Sequence, residues 1–376
     1  MAALSPTSRA RWSSADYRYM AHALRLARRG LYSTDPNPRV GCVLVKEGEI
    51  VGTGWHKQAG GAHAEIHALN EAGSLARGAT CYVSLEPCCH YGRTPPCTEA
   101  LIEARIARVV AAQLDPNPRV SGQGLRRLDK AGISVDQGVL EDQARALNPG
   151  FIKRLCEGLP YVRCKLAMSL DGRTAMASGE SQWITSVASR QDVQRLRAQS
   201  SAILTGIGTV LADDPALTVR ATGIDTGGRQ PLRVVLDSQL RFPRGARMLS
   251  QPGQTVVLTG AVPKPMAGVE IAVIPLVHGQ LDLRAALQYL SQREVNEVLI
   301  EAGPTLTGAM LGAGLVDELV IYMAPKLLGS RALGVADLPE IARLADHLAL
   351  TITDVRRFGG DLKITARVTA RVQPKA

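Results

Sequence analysis

The chain has 376 residues, which at about 150 residues per domain predicts two domains. Its hydrophobic fraction of 45% and charged fraction of 21% are typical of globular proteins and exclude wholesale disorder. The formal net charge of +10 favours anionic partners. Because only 4% of the residues are aromatic and could stack nucleic-acid bases, the composition favours phosphorylated metabolites over nucleic acid.

The cysteines and the N-terminus indicate the compartment. Seven cysteines cannot all pair, and Cys88 and Cys89 are neighbours, which favours a reducing cytoplasm with thiols kept for a metal over a disulfide scaffold. No apolar run approaches the roughly 18 residues of a membrane span. The N-terminus lacks the apolar core of a secretory signal, and residues 1–13 are predicted to form a disordered tail.

The first half of the chain alternates helices and strands. Apolar residues at helical spacing predict a helix from Ser13 to Gly30, and two strands around a turn at Gly48 follow. Helices are predicted at 64–73, 98–104 and 124–132, with strands at 80–85 and 108–113 between them. This alternation predicts a layered α/β domain over residues 14–150.

The alternation restarts after a stretch rich in glycine and proline. Residues 148–150 and 157–160 mark the boundary, so a linker is predicted at 151–160 and a second α/β domain at 161–376. Its predicted elements are a helix at 189–200 and strands at 161–168, 202–205, 232–236, 255–259, 298–300, 318–324 and 361–371.

Three potential zinc ligands occur in the first domain. His63 opens a predicted helix with Glu65 two residues later, Cys88 follows a predicted strand, and Cys97 precedes the next helix. One imidazole and two thiolates suit tetrahedral zinc with the fourth position open to water, as in catalytic sites. Zinc lowers the pKa of bound water to about 7, and Glu65 can carry its proton to a leaving amine. The pattern predicts a zinc deaminase, with Cys89 as a packing neighbour rather than a ligand.

One short sequence occurs twice. Asp35-Pro-Asn-Pro-Arg-Val40 recurs at residues 115–120, but the flanking sequences share nothing, which favours two proline-stiffened loops over a duplicated domain. In the first copy, Asn37 can offer its side-chain amide to the edge of a base, or it can simply be a turn residue.

The second half lacks the Gly-x-Gly-x-x-Gly signature of a Rossmann domain. The segment 298–309 instead runs from a predicted strand into a predicted helix. Backbone N–H groups at that helix start, with the hydroxyls of Thr305 and Thr307, would suit a pyrophosphate, although an ordinary strand-to-helix turn has the same sequence features.

Motifs in both halves resemble one known family, the bifunctional deaminase/reductases of riboflavin biosynthesis. The deaminase half of that family is similar in His63-Ala-Glu65, Glu86-Pro-Cys88 and His90-Tyr-Gly-Arg-Thr-Pro-Pro-Cys97. The reductase half is similar in the segments 165–173, 181–183 and 205–220. The resemblance covers residues 14 to 370 or so. It implies an N-terminal cytidine-deaminase-like α/β/α layered domain and a C-terminal dihydrofolate-reductase-like α/β domain.

The resemblance also implies site residues. His63, Cys88 and Cys97 become the zinc ligands and Glu65 the proton shuttle. The implied NADPH contacts are Ala167, Trp183, Thr209, Asp213, Ser238, Gly303, Pro304, Thr305, Leu306, Thr307, Gly308 and Ala309. The implied substrate contacts are Ser181, Arg197, Leu217, Arg220 and Glu301, with the two arginines expected to hold a ribose phosphate. The family often has two glycines after the glutamate, where Ala302 and Gly303 stand here.

These features predict two consecutive reactions on small phosphorylated pyrimidines: hydrolytic deamination, then reduction of the ribosyl group by NADPH. The expected protein is a cytoplasmic homo-oligomer with no nucleic-acid or membrane partner. Two alternatives were weighed against this. An RNA-editing deaminase is disfavoured by the Gly-Arg-Thr-Pro-Pro loop and the low aromatic content. A non-catalytic module with structural zinc would need a fourth ligand, for which Cys89 is badly placed.

Overall fold

The computed structural model describes residues 12–91, 95–118 and 120–369. The chain divides into two compact units, residues 1–156 and 157–376. Most of the expected tail, and residues 92–94 of the loop between the zinc-ligand cysteines, lie outside the described part. Trp12 and Ser13, assigned to the tail from sequence, belong to the fold, because Trp12 packs edge-on against Tyr17 and Ser13 caps the first helix.

The N-terminal unit is built on a five-stranded sheet with the order β2-β1-β3-β4-β5. Strand β1 is antiparallel to both β2 and β3, and β3, β4 and β5 are mutually parallel. Its elements are α1 (Ser14–Ala27), β1 (Gly41–Lys46), β2 (Glu49–Trp55), α2 (Ala64–Ala72), β3 (Thr80–Val83), α3 (Cys97–Glu103), β4 (Arg108–Ala111), α4 (Gln123–Lys130), β5 (Ser134–Gln137), α5 (Glu141–Leu147) and α6 (Pro149–Glu157).

Helices cover both faces of this sheet. Along β1, Cys42 and Leu44 belong to a buried cluster with α2, α3 and α4, whereas Val43 and Val45 belong to a second cluster with α1 and α5. Because successive side chains of a strand point to opposite faces, a strand buried on both faces reads as a continuous apolar run. The unit is therefore an α/β/α sandwich, as expected from the sequence.

Two glycines of β2 let helix α2 approach the sheet closely. A Cβ atom at Gly54 would lie 2.0 Å from the Ala64 carbonyl oxygen, and one at Gly52 would lie 2.2 Å from that of Ala68. Any larger residue would push the helix away, since real Cβ contacts are never this short. The glycines thus set the height at which the start of α2, with His63 and Glu65, stands above the sheet.

Helix α1 is fixed to the sheet by the carboxylate of Asp16. Asp16 forms a capping box with Ser13, accepts a hydrogen bond of 2.8 Å from the Tyr82 hydroxyl on β3, and pairs at 2.8 Å with Arg108 on β4. Burial disfavours the ionised carboxylate, but these hydrogen bonds outweigh it and lower the pKa of Asp16 to about 2. The folded state therefore holds Asp16 ionised.

We expect Asp16→Asn to destabilise the N-terminal unit by about 2 kcal/mol at pH 7, because hydrogen bonds to a charged group contribute roughly 1.5–3 kcal/mol. The folded pKa lies below the unfolded value, so this stabilisation is present above about pH 4 and is lost as the pH falls toward 2. Urea denaturation followed by tryptophan fluorescence measures it, and the difference between wild type and variant should shrink at pH 2.5. A difference that stays constant with pH would contradict the assignment.

The C-terminal unit is built on a nine-stranded sheet with the order β11-β10-β9-β8-β14-β6-β15-β18-β17. Neighbouring strands are parallel along the series β11, β10, β9, β8, β14, β6 and β15. At the other side of β15, β18 pairs antiparallel with it, and the edge strand β17 pairs antiparallel with β18. Its elements are β6 (Tyr161–Ser169), β7 (Arg173–Ala175), α7 (Val187–Gln199), β8 (Ala202–Gly206), α8 (Ile207–Asp213), β9 (Leu232–Leu236), β10 (Thr255–Thr259), β11 (Glu270–Val273), β12 (Leu276–Val277), β13 (Gln280–Leu281), α9 (Leu283–Gln292), β14 (Glu297–Ile300), α10 (Pro304–Gly312), β15 (Glu318–Ala324), β16 (Leu333–Gly334), β17 (Leu350–Phe358) and β18 (Asp361–Val368).

This sheet is also covered on both faces. Helices α9 and α10 contribute to the largest buried cluster, with Val162, Leu204 and Ile300 from three central strands. Helix α8 packs on the opposite face, where Ile203, Val235 and Val257 are buried. The edge strand β17 is largely exposed and has a register irregularity between Ile352 and Asp354. No helix among the described residues is long and apolar enough to cross a membrane.

Several elements differ from the sequence prediction. Helix α6 occupies most of the expected linker 151–160, and the division between the units falls at its last turn. The short helices α5 and α8 and helix α9 were not predicted, nor were the strands β5, β7, β11, β12, β13, β16 and β17. Within the described residues every predicted strand and helix is present, and no end is shifted by more than three residues.

Candidate active sites

The three predicted zinc ligands come from three separate elements. His63 is the residue before α2, Cys88 lies in the loop after β3, and Cys97 is the first residue of α3. The Cys97 backbone N–H donates to the Cys88 sulfur at 3.2 Å, so the helix start supports the other thiolate. Their ligand atoms lie within 4.8 Å of one another.

These distances fit a zinc ion. The His63 Nδ1 atom lies 3.2 Å from the Cys97 sulfur and 3.6 Å from the Cys88 sulfur. Ligand bonds of 2.0–2.3 Å in a tetrahedron separate nitrogen and sulfur by about 3.5 Å. Hydrogen bonds from Cys97 and His63 lower the pKa of Cys88 to about 4, which favours a thiolate already in the metal-free protein. The donor set and its spacing therefore match a three-ligand zinc site.

Glu65 lies beside these ligands and is 3% exposed. Its carboxylate is within hydrogen-bonding reach of the Cys97 thiol, and burial raises the pKa of Glu65. A carboxyl with a raised pKa exchanges protons near neutral pH more readily than an exposed one. Cys89 is not part of the ligand cluster, in keeping with its predicted role.

Asn37 is held by a histidine that was not singled out from the sequence. The buried His56 ring lies 3.0 Å from the Asn37 side-chain nitrogen through Nε2 and 3.1 Å from the Ala62 carbonyl through Nδ1. Because the carbonyl can only accept, Nδ1 carries the proton and Nε2 accepts from the amide. Burial lowers the pKa of His56, which keeps the ring neutral and directs the Asn37 oxygen away from it.

A second cluster lies in the C-terminal unit around Glu301, the residue after β14. Arg197 on α7 grips its carboxylate with two hydrogen bonds, Nε to Oε1 at 2.6 Å and Nη2 to Oε2 at 3.0 Å. Lys165 on β6 stands 3.7 Å from the same carboxylate. Burial disfavours the ionised form, but the two cations outweigh it and lower the pKa of Glu301 to about 2.

The guanidinium of Arg197 is engaged within the protein, and its contact with a substrate phosphate stays a prediction. Its two-pronged contact is made with Glu301 rather than left for a phosphate, and its Nη1 donates to the Thr218 carbonyl at 3.0 Å. Arg220, two residues beyond Thr218, has an exposed guanidinium with no carboxylate partner among the described residues. Burial, together with the positive charges of Arg197 and Arg247, lowers the pKa of Arg220, so an anion would be favoured there.

The start of α10, which was expected to hold a pyrophosphate, is open as predicted, but not all of the expected contact residues face its open end. Gly303 caps α10 with open space before it, and the N–H groups of Thr305 and Leu306 are in the first turn. The Thr307 hydroxyl, however, is fully buried and faces the Cys164 sulfur at 3.8 Å. Gly308 faces the chain at Asp337, where a Cβ atom would lie 2.0 Å from a carbonyl oxygen. These two residues therefore pack the helix instead of lining its open end.

The other expected cofactor and substrate contacts lie on several elements. Trp183 is 63% exposed, its ring is covered by the Arg190 guanidinium at 4.4 Å, and its carbonyl accepts a hydrogen bond from Lys326 at 3.0 Å. The Leu217 side chain is buried in the core, which leaves only its backbone for a ligand. Ala167 lies on β6, Ser181 in the loop before α7, Thr209 and Asp213 on α8, and Ser238 after β9.

Sequence analysis missed three residues that the structure brings to these clusters: His56, Lys165 and Arg247. Lys165 begins the segment 165–173 that resembles the family, but the position of a residue in a strand does not say which charged residue of another element it contacts. His56 lies seven residues before His63, outside any predicted helix or strand, and its spacing matches no motif. The folded chain brings the positive charge of Arg247 near Arg220, and the sequence positions of the two residues do not indicate this proximity.

Two family models match the chain. The model of the cytidine and deoxycytidylate deaminase zinc-binding region matches residues 13–113, and that of the RibD C-terminal domain matches residues 160–364. Together they cover both clusters and agree with the fold class expected from the sequence.

Curated relatives and solved structures are similar over nearly the whole chain. The riboflavin biosynthesis protein RibD of Escherichia coli K12 is 54% identical over 358 residues, or 92% of this chain and 98% of its own. The Acinetobacter baumannii RibD structure is 48% identical, covers 95% of this chain and 99% of its own, and gives a TM-score of 0.89. A diaminohydroxyphosphoribosylaminopyrimidine deaminase/5-amino-6-(5-phosphoribosylamino)uracil reductase from Thermotoga maritima is 34% identical, covers 94% of this chain and 99% of its own, and gives a TM-score of 0.85.

Proposed function

Because this chain belongs to the RibD family, and is a bifunctional deaminase and reductase of riboflavin biosynthesis that uses zinc and NADPH, we propose the substrates and the residues that serve each reaction. The first substrate is 2,5-diamino-6-ribosylamino-4(3H)-pyrimidinone 5′-phosphate. The second is its deaminated product, 5-amino-6-(5-phosphoribosylamino)uracil. The similarity to the Thermotoga maritima enzyme, whose name states both reactions, supports this choice.

The observation that carries the deaminase proposal is the group of His63, Cys88 and Cys97 with Glu65 buried beside it. When bound, zinc would supply a water of lowered pKa as the nucleophile. His63, Cys88 and Cys97 would hold the metal. Glu65 takes a proton at its carboxylate and returns it to the leaving amino group, and its burial keeps competing bulk water away.

Substrate orientation in the deaminase is assigned to Asn37. Its amide nitrogen is engaged by His56, so the oxygen is the free end and can accept a hydrogen bond from an amino group on the pyrimidine. The neutral, buried His56 ring fixes this orientation.

The reductase site is assigned to the carboxyl edge of the nine-stranded sheet, near the ends of β8, β14 and β6. NADPH would supply a hydride to the ribosyl carbon. Ligands of open α/β sheets bind in the crevice outside the carboxyl ends of the strands. The α8 and α10 starts meet there, since a Cβ atom at Gly206 would lie 3.5 Å from Leu306. The α10 start is assigned to the cofactor phosphates and the Glu301 cluster to the sugar substrate.

A two-stage absorbance assay tests the function. The diamino substrate should release ammonia without NADPH, and NADPH absorbance should fall only once the deaminated product is present. Consumption of NADPH before any ammonia is released from the undeaminated substrate, or no release of ammonia from it, would refute the order of the two reactions.

We expect Arg220→Lys to raise the reductase KM for the phosphorylated substrate by about tenfold, while the KM for NADPH stays the same. A lysine cannot reproduce the two-pronged contact of a guanidinium with a phosphate, and losing one charge-assisted hydrogen bond of about 1.5 kcal/mol corresponds to about tenfold in affinity. Steady-state kinetics with each substrate varied in turn measures both constants.

Arg195→Lys is the matched control, because this exposed arginine on α7 pairs with Asp192 and lies outside the Glu301 cluster. Its kinetics should equal those of the wild type. A rise confined to the KM for NADPH in Arg220→Lys would mean that Arg220 binds the cofactor and not the substrate.

The protein is further proposed to act in the cytoplasm as a homo-oligomer, without nucleic-acid partners. All seven cysteines are free, including the three in or beside the zinc cluster, which supports a reducing compartment. The excess of positive charge is explained by phosphorylated substrates and cofactor. Light scattering of the purified enzyme with and without NADPH measures the oligomeric state.

A further inference from the structure

The carboxylate of Glu86 occupies an unusual position. It lies two residues before Cys88, is 4% exposed, and has no cationic partner among the described residues. Buried carboxylates are costly unless hydrogen bonds replace the lost water. Among the described residues, the donors to Glu86 are backbone N–H groups of the loop that contains the second copy of the repeated sequence and of the helix that follows it.

Four backbone N–H groups converge on Glu86. Oε2 accepts from Asp115 at 3.0 Å and from Gly122 at 2.8 Å. Oε1 accepts from Gly124 at 2.8 Å and from Leu125 at 3.2 Å. The last two belong to the first turn of α4, so Glu86 supplies the acceptor that the helix start lacks, and its negative charge suits the positive end of that helix.

The loop anchored in this way, described at residues 115–118 and 120–122 and here called the α4 loop, lies beside the zinc cluster. Asp115, the first residue of the loop, donates its backbone N–H to Glu86, which lies two residues before Cys88. At the other end, Gly124 packs so tightly that a Cβ atom would lie 2.1 Å from the Pro87 carbonyl oxygen. Within the loop, Asn117 donates to the Asp115 side chain at 2.8 Å.

We propose that Glu86 is a positioning residue for deamination: it holds the α4 loop beside Cys88 as one wall of the pyrimidine pocket. Its carboxylate binds both ends of the α4 loop, at Asp115 and Gly122, to the segment after β3 that contains Cys88. This also explains the second Asp-Pro-Asn-Pro sequence, which stiffens a wall that must keep its shape. The inference rests on the deaminase function and zinc site proposed above.

Glu86→Gln tests the proposal with almost no change in volume. The new amide group cannot accept from two of the four N–H donors, so the α4 loop should loosen. We expect faster hydrogen exchange in the segment 113–126. The deaminase KM should rise roughly tenfold with kcat changed by less than about threefold, since one charge-assisted hydrogen bond corresponds to about a factor of ten. Zinc content and reductase kinetics should equal those of the wild type.

Glu99→Gln is the matched control, since this partly exposed carboxylate on α3 binds Tyr91 and Arg127 near the same cluster. It should leave exchange in 113–126 and the deaminase KM unchanged. Glu86→Asp keeps the charge but shortens its reach, and should give intermediate exchange and an intermediate KM. It also serves as the test variant if Glu86→Gln fails to fold.

Unchanged exchange in 113–126, or an unchanged KM, would overturn the proposal. A fall in kcat that parallels loss of zinc would assign Glu86 to the metal site instead. Failure of the underlying function is distinguishable, because it would appear in the wild-type enzyme as absent deamination, whereas failure of this inference appears only in the variants.

Discussion

Glu65→Gln should lower the rate of deamination by about a thousandfold while zinc binding and reduction persist. General acid–base groups typically contribute a hundred- to ten-thousandfold, and an amide can neither take nor return a proton. Glutamine has nearly the same shape as glutamate, so the buried position beside Cys97 can still be filled. Ammonia release from the diamino substrate measures the first reaction, and NADPH consumption with the deaminated substrate measures the second.

Glu71→Gln provides the control on the same helix. Glu71 is exposed and its carboxylate bonds only the backbone and hydroxyl of Thr53, so both reactions should proceed at the wild-type rate. If Glu65→Gln abolished both reactions together, the two sites would not be independent. Retained deamination would show that another group moves the proton.

Cys88→Ser and Cys97→Ser should each abolish zinc binding, from about one ion per chain to less than about a tenth, and deamination with it. A serine hydroxyl is not deprotonated at neutral pH and is a poor ligand for zinc compared with a thiolate. Inductively coupled plasma mass spectrometry of the dialysed protein gives the zinc content.

Cys89→Ser is the corresponding control, because Cys89 is adjacent to Cys88 but outside the ligand cluster. It should keep one zinc per chain and full deamination. Loss of zinc in Cys89→Ser, with zinc retained in Cys97→Ser, would mean that the ligand was assigned to the wrong cysteine.

The zinc site could be predicted from the sequence because histidine and cysteine are the residue types that bind zinc. The sequence places an imidazole at a helix start, one thiol after a strand and a second thiol before the next helix. The structure brings these residues, His63, Cys88 and Cys97, together as expected. The fold class followed from the alternation of predicted helices and strands along the chain. Both inferences depend on residue types and on their order along the chain, which the sequence shows directly.

The reductase cluster was predicted less completely, because its pairings join distant segments. Arg197 and Glu301 are 104 residues apart, and each could equally have met a ligand. The packing of α7 against the sheet decides that Arg197 and Glu301 meet each other. Thr307 was misjudged for a related reason: the rotation of α10 that buries its hydroxyl is set by the core, and the turn sequence does not encode it.

Short elements escaped prediction for another reason. Helices of seven residues, such as α5 and α8, gain little from local propensity and form because they dock on the sheet. Helix α6 begins at the Pro149 that the sequence analysis took as a break; proline is well tolerated at the first position of a helix, so a proline-glycine pair can open a helix as well as end one.

The exposed strand β17 has a consequence for aggregation. It ends the nine-stranded sheet with a row of backbone groups and with apolar side chains such as Ile352, which together form a template onto which a partly unfolded copy could add. The irregular register near Asp354 and the ion pair of Asp354 with Arg356 interrupt that template. Substitutions that neutralise these charges would therefore lower the yield of folded enzyme in the cell, although they touch no residue of either active site.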